Sequence, residues 1–195
     1  MGSRTHPGRP RKVSVEDTLE GALQLFWERG YEGTSIADLS RALGVSASSL
    51  YATFESKDRL YLRCMRHYGE TRSEFVQEAL AEENGIHALQ ALLIGAALAY
   101  GESGAGCAIL AAQPGAAVDT ELSEMRRKAR ERITRRIRRA QREGDVTRDL
   151  RASDLSAYVQ TVMGGLSGAS RDGASAAQLH RVAELANATI ESWRA

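Results

Sequence analysis

The chain has little of what marks a secreted, membrane-spanning or disulfide-bonded protein. Its 195 residues include two cysteines and three prolines, and no Cys and His set has the spacing of a zinc site. No apolar run approaches the ~20 residues that span a bilayer, and the basic N-terminus has no apolar core after it. We therefore expect a soluble cytoplasmic protein without a disulfide framework, a metal site, a cofactor or a membrane partner.

Charge of one sign and runs of β-branched residues are also scarce. The 26 Lys and Arg residues and 25 Asp and Glu residues give a formal net charge of +1, so bulk charge does not indicate a nucleic-acid partner. Helix-forming Ala, Leu, Arg and Glu dominate, and hydrophobic residues make up 43% of the chain. The composition predicts an all-α protein, and the apolar spacing along the chain predicts about nine helices. The chain is long enough to join a small domain to a larger one.

A pattern in the first third of the chain indicates two short helices joined by a tight turn. Thr34 or Ser35 is placed to cap the first helix, and Gly44 would end it because glycine adopts a positive φ without a Cβ penalty. Ser46 would cap the second helix. Small or hydroxylated side chains occupy the remaining faces of that helix: Ala47, Ser48, Ser49, Tyr51 and Thr53. The pattern is typical of a helix-turn-helix at residues 35–54, which presents its second helix to the DNA major groove.

This stretch resembles the N-terminal domain of the TetR family of one-component transcriptional regulators. The matching segments are LFWERGY at 25–31, GTSI at 33–36, GVS at 44–46, SLY at 49–51, Phe54 and SKDRL at 56–60. The remainder of the chain fits the family in length and helical layout. The resemblance implies a three-helix DNA-binding domain at residues 14–67 and a helical effector-binding and dimerisation domain at 68–195. A long fourth helix, from Ser56 to a break near residues 83–85, would be shared by both domains.

The resemblance also implies that the partner is double-stranded operator DNA. Carried over by position, the phosphate contacts would come from Thr34, Tyr51 and Lys57, the base-facing positions would be Ala47, Ser48 and Thr53, and Ser46 and Ser49 lie beside them. The Ala52-Thr53 pair stands where many relatives carry larger aromatic or imidazole side chains, so the base preference stays open.

A basic arm precedes the first helix at residues 1–13. Arg9, Arg11 and Lys12 in this arm could follow phosphates or enter a minor groove. The alternative interpretation is a solubilising terminus without a DNA contact.

The last two helices predict a homodimer. Their apolar residues are Leu155, Tyr158, Val159, Val162 and Leu166 on one helix, and Leu179, Val182, Ala186, Ile190 and Trp193 on the other. In the TetR family the corresponding pair forms a four-helix bundle across a two-fold axis. A dimer also suits the reading of a palindrome, because two recognition helices spaced by about 34–36 Å reach successive major grooves. The alternative is that these faces are ordinary core within one chain.

The resemblance further implies an unidentified small-molecule effector, bound among the middle helices. We expect a mostly apolar cavity that suits a hydrophobic or aromatic molecule, with walls from Tyr68, Leu93, Ala97, Tyr100, Cys107, Leu110, Met125, Tyr158 and Val162. Any of these residues could instead be plain core. Cys107 follows a glycine-rich loop at a helix start, which leaves open a cysteine-based sensor of oxidants or electrophiles.

Other function classes have weaker support in the sequence. The arginine-rich helix near residues 119–142 keeps an apolar stripe, so we interpret its charge as a solvated face and not as a second nucleic-acid surface. No nucleophile with a nearby base, paired carboxylates or phosphate-cradling loop indicates an enzyme. A helical interaction protein that has lost DNA binding is the remaining alternative.

Overall fold

The computed structural model describes residues 14–112 and 116–195 of the chain. Ten α-helices form within these residues, and the only β-pairing described is an isolated bridge between Val146 and Arg194. The all-α prediction is therefore confirmed. Among the described helices, none combines the length and the apolar character that a membrane crossing requires.

The first three helices form a compact N-terminal unit. They are α1 (Val15–Arg29), α2 (Ile36–Leu43) and α3 (Ala47–Phe54). Capping boxes at Ser14 and Ser35 start α1 and α2, because each serine hydroxyl accepts the amide of an aspartate whose carboxylate bonds back to the serine amide. Fully buried leucines and a phenylalanine hold the three helices together: Leu23, Phe26, Leu39 and Leu50.

The following helices run from the N-terminal unit into the larger part of the protein. They are α4 (Lys57–Thr71), α5 (Glu74–Ala81), α6 (Gly85–Ser103) and α7 (Ala108–Ala111). The prediction of one long fourth helix is wrong, because the chain breaks at Arg72 and Ser73. Arg72 closes α4 by donating its amide to the Tyr68 carbonyl, and Ser73 starts α5 without a side-chain cap.

Three long helices complete the fold. They are α8 (Ala116–Glu143), α9 (Ala152–Arg171) and α10 (Ala176–Glu191). The apolar α6 lies at the centre of this region and packs against α5, α8, α9 and α10. One continuous hydrophobic core therefore extends from α1 to α10, and α4 links its two ends.

Candidate nucleic-acid interface and ligand cavity

The start of α3 is fixed by a turn and a cap. Gly44 adopts the left-handed conformation at φ 65°, which ends α2 and turns the chain toward α3. Ser46 then caps α3: its Oγ accepts the amide of Ser49 at 3.1 Å and lies 3.0 Å from the hydroxyl of Ser48. A serine cap of this kind stabilises a helix by ~1 kcal/mol. The cap also orders the first turn of α3, where a recognition helix meets base edges.

The outward face of α3 is polar, small and free of carboxylates. Leu50 and Phe54 are buried against the N-terminal unit, and Tyr51 is 52% exposed on the opposite side. The exposed residues of α3 and its cap are Ser46, Ala47, Ser48, Ser49, Tyr51, Ala52 and Thr53. Hydroxyls and a phenol donate to phosphate oxygens and to bases, and the small side chains let the helix approach a groove closely. The structure thus places these predicted contact residues on one surface.

Lys57 lies beside this surface at the start of α4. Its Nζ stands 4.0 Å from the centre of the Tyr31 ring, and the Tyr31 hydroxyl donates to the carboxylate of Asp58. Burial and the bond to Asp58 raise the pKa of Tyr31 well above its usual range, so the phenol remains a neutral donor. The cation–π contact holds the ammonium group over the ring of Tyr31, in the segment between α1 and α2, and its phosphate contact stays a prediction.

Thr34 does not fit its predicted role. Its side chain is fully buried, its hydroxyl donates to the Gly30 carbonyl at 2.8 Å, and its amide bonds to the Tyr31 carbonyl. The prediction of a phosphate contact by this hydroxyl is therefore wrong, because the group is used to close the turn between α1 and α2. Arg9, Arg11 and Lys12 of the basic arm lie outside the described residues.

The end of α3 contains strain that the sequence did not predict. Glu55 has φ 68° and ψ −46°, a conformation in which a side chain is disfavoured, and its amide donates to the Tyr51 carbonyl at 2.8 Å. This turn directs the chain into the Ser56 cap of α4. The strained residue therefore joins the exposed helix to the helix that enters the larger region.

Trp27 connects the N-terminal unit to that region. Its indole N–H donates to the carbonyl of Ala105 at 2.8 Å, and its ring meets the Tyr68 ring edge-on at 5.2 Å. Arg72 pairs with Glu20 of α1 and lies over the Trp27 ring. Helix α1 is thus bonded to the α6–α7 loop through Trp27 and to the end of α4 through Glu20.

A cavity of about 140 Å³ opens next to Tyr68, between α4, α5, α6, α7, α8 and α9. Its wall is mainly apolar and includes Tyr68, Phe75, Val76, Tyr100, Cys107, Ile109, Leu110, Ala129, Ile133 and Met163, together with Arg72, Ser73, Arg126, Arg132 and Gln160. Four of the nine predicted wall residues are therefore brought together: Tyr68, Tyr100, Cys107 and Leu110.

The other five predicted wall residues lie elsewhere. Leu93 and Ala97 are fully buried in the core of α6, and Met125 is half-buried against the core of α8. Tyr158 and Val162 line a shallow surface groove between α9 and α10 and do not reach the cavity. Apolar character alone cannot separate a cavity wall from plain core, because both need the same side chains.

Cys107 lies between two phenols in the cavity wall. Burial is the main cause that raises the pKa of both Tyr68 and Tyr100 well above the usual range, and the neighbouring Cys107 raises it further. The Cys107 amide donates to Ser167 Oγ at 2.8 Å, which attaches the start of α7 to α9. The wall therefore offers two neutral phenols and a buried thiol to a bound molecule.

Most of the predicted dimer residues are intrachain core. The exposed fraction is at most 7% for seven of them: Leu155, Val159, Leu166, Leu179, Ala186, Ile190 and Trp193. Tyr158 and Val162 are half-buried, and Val182 is exposed. In the single chain the seven buried residues pack inside the larger region, so as a set they do not form a free face.

The edge of this predicted set lines an exposed apolar groove between α9 and α10. We call this groove the α9/α10 face; it contains Tyr158, Val162, Leu166, Val182 and Ala186 of the predicted residues, together with Gly165 and Leu185. Leu185 is 73% exposed and Val182 is 48% exposed, which is unusual for large apolar side chains on adjacent helices. Leu185 was missed because it lies outside the stripe chosen from the helical period.

The sequence analysis also missed the arginines of α8 that reach inward. Arg126 donates to the Ile109 carbonyl at 3.0 Å, and Arg136 is 5% exposed and donates to the Glu82 and Glu83 carbonyls. A signal was available, since Leu122, Arg126, Ala129 and Ile133 follow one helical stripe. The paired surface arginines, such as Arg127 with Glu124 and Glu131, fit the predicted solvated face.

Known proteins resemble this chain in its N-terminal helices and over most of its length. The family model for bacterial regulatory proteins of the tetR family matches residues 19–64. The transcriptional repressor BdcR of Escherichia coli K12 is 30% identical, with 95% of this chain and 93% of BdcR covered. The repressor ComR of the same strain is 26% identical over 95% of this chain and 91% of ComR.

A solved structure of the TetR-family regulator CifR, a triple cysteine mutant bound to 26-bp operator DNA, has a TM-score of 0.85. It is 28% identical and covers 95% of this chain and 100% of that one. The similarity therefore includes both the helix-turn-helix and the region behind it.

Proposed function

This chain belongs to the TetR family of bacterial regulatory proteins, and from that membership we propose that it is a ligand-responsive transcriptional repressor. It binds a palindromic operator as a homodimer and leaves the DNA when a small hydrophobic or aromatic effector enters the cavity. Residues 14–67 form its DNA-binding domain and residues 68–195 its effector-binding and dimerisation domain. Its role is regulatory and not catalytic, and it acts in the cytoplasm, where chromosomal DNA is accessible.

The exposed face of α3 is the observation that carries this proposal. A capped helix with five hydroxyl-bearing residues on or before its exposed side, flanked by the Lys57 ammonium group, has the chemistry of a major-groove reader. Tyr51 and Lys57 hold the phosphates on either side, and Ala47, Ser48 and Thr53 face the bases. The complex of CifR with 26-bp operator DNA supports the same use of this fold here.

The α9/α10 face provides the two-fold contact. One α3 covers too few base pairs for specific binding, whereas two copies related by a two-fold axis read both halves of a palindrome. Pairing of this face buries Leu185 and Val182, which the single chain leaves exposed.

Release follows from the position of α4. Tyr68 in the cavity wall and Lys57 beside α3 belong to the same helix, so a shift of Tyr68 also moves the phosphate contact. The bond from Trp27 to Ala105 joins α1 to the loop before Cys107. An effector changes operator affinity only as far as it binds the released state more tightly than the DNA-bound state.

Selection from a random pool of double-stranded DNA tests the proposal. The wild-type protein is expected to enrich a two-fold palindrome, and Thr53→Ala to change the enriched bases more than the overall affinity. Recovery of no shared sequence would leave the chain as a helical interaction protein without DNA binding.

Cys107 supports a second mode of release. Its thiol is part of the cavity wall, so an electrophile or oxidant small enough to enter would reach it. Treatment with a small alkylating agent tests this mode. It is supported if the agent releases the wild-type protein from the operator but leaves the Cys107→Ser variant bound. Equal release of both proteins would contradict it.

A further inference from the structure

The cavity described above is positively charged. Three arginines line it, Arg72, Arg126 and Arg132, and no Asp or Glu belongs to its wall. The remaining polar wall groups are neutral: Ser73, Gln160, the two phenols and the thiol. A cavity with mostly apolar walls whose charged side chains are all cationic favours a molecule that carries negative charge at one end.

The three arginines are not equally engaged by the protein. Arg72 pairs with Glu20, so its charge is already compensated. Arg126 donates to the carbonyls of Ile109 and Ala112, which are neutral partners, and no ion pair within the described part of the chain includes Arg126 or Arg132. Elsewhere on the same helix Arg127 and Arg139 both pair with glutamates. Arg126 and Arg132 thus bring positive charge to the cavity without an ion-pair partner among the described residues. Other arginines of α8 that also have no such partner lie outside the cavity wall: Arg130, Arg135, Arg138 and Arg142.

The size of the cavity limits the rest of the molecule. Its volume of about 140 Å³ is close to the ~150 Å³ of an apolar protein cavity that holds benzene. Phe75, Tyr100 and Met163 are the apolar groups that such a body would meet. A single ring or a short branched chain therefore fits this volume.

We propose that the effector is a small organic monoanion, a carboxylate carried on one ring or on a short apolar chain. The carboxylate lies toward Arg132, whose planar guanidinium group matches its two oxygens, and near the charge of Arg126, whose Nε and Nη2 already donate to backbone carbonyls. The apolar body lies toward Phe75, Tyr100 and Met163. This inference rests on the proposed function, because it takes the cavity to be the effector site.

A different role for the arginines gives a different experimental result. If their aliphatic stems only cover the apolar wall and their charges stay in water, the cavity does not distinguish ligand charge. Benzoate, benzamide and benzamidine separate the two cases, since they share a ring and nearly the same shape but are anionic, neutral and cationic at neutral pH. Isothermal titration calorimetry of the full-length protein with each compound measures the preference directly.

We expect benzoate to bind about tenfold or more tightly than benzamide, and benzamidine to bind most weakly, because a hydrogen bond to a charged group contributes about one order of magnitude in affinity or more. Arg132→Gln should reduce the benzoate preference to within about threefold, and because Arg132 is exposed, the fold is retained. Arg138→Gln is the matched control, since Arg138 is an exposed residue of α8 outside the cavity wall. Equal binding of the three compounds, no binding of any, or an unchanged preference in Arg132→Gln would overturn the inference.

A parallel titration of the protein–operator complex with the same three compounds, with DNA release as the measurement, separates this inference from the proposed function. Operator binding without a benzoate preference contradicts the monoanion and leaves the DNA-binding regulator intact. Benzoate binding by a protein that selects no DNA sequence contradicts the regulator and leaves the anion site intact.

Discussion

Replacement of Leu185 by lysine tests whether the α9/α10 face holds the dimer together. Leu185 is 73% exposed in the single chain, so it contributes little to the folding of one copy. Full burial of a leucine side chain stabilises an association by about 1.5–3 kcal/mol. A two-fold interface contains each residue twice, so the loss is about 3–6 kcal/mol per dimer, or roughly 10²- to 10⁴-fold in the dimer Kd.

Sedimentation velocity over a dilution series measures this change. Leu185→Lys is expected to sediment as a monomer at concentrations where wild type is a dimer, and to lose operator affinity in parallel. Its helical content should match wild type. Leu98→Lys is the control, because Leu98 is 50% exposed on α6, away from this face. A dimer Kd for Leu185→Lys within about threefold of wild type would refute the reasoning, as would an equal loss in both variants.

Three further predictions follow from single positions. Gly106→Ala should cost about 1–3 kcal/mol of stability beyond Gly104→Ala, because both have positive φ but only at Gly106 would a Cβ lie 2.4 Å from the Ser167 carbonyl oxygen. Thermal unfolding checks this, with equal Tm values contradicting it. Glu55→Gly should raise Tm by about 2–4 °C at fixed protein concentration, since it releases ~1 kcal/mol of strain at φ 68°; a lower Tm would show that the position is unstrained. Lys57→Ala should lower the slope of log affinity against log salt by about 1.8, for two phosphates per dimer, and an unchanged slope in a salt titration would exclude the phosphate contact.

The helix-turn-helix could be predicted in detail because local chemistry determines it. Ser46 caps α3 as predicted, Ser35 is the one of the two candidates that caps α2, and Gly44 takes the positive φ that ends α2. These features depend on neighbours within four residues, so the sequence is sufficient. The break at Arg72 and Ser73 had no such signal, because neither residue is a helix breaker.

Long-range packing was harder to predict. Each apolar residue of α9 and α10 suits either the intrachain core or a partner, and the position of α6 decides the outcome. Leu155 and Ile190 turn inward, whereas Leu185 stays exposed. The cavity wall could not be derived for the same reason. Arg126 was assigned to solvent by its charge, although its place on the apolar stripe of α8 indicated the interior.

Binding to operator DNA is the central claim, and a mobility shift tests it most directly. The purified protein is mixed with labelled DNA from the region flanking its coding sequence, at two salt concentrations and with excess unrelated competitor DNA. We predict a shifted complex that survives the competitor and weakens at the higher salt, as expected for a dimer that contacts phosphates and reads bases. A complex that the excess unrelated DNA removes would contradict sequence-specific recognition by α3.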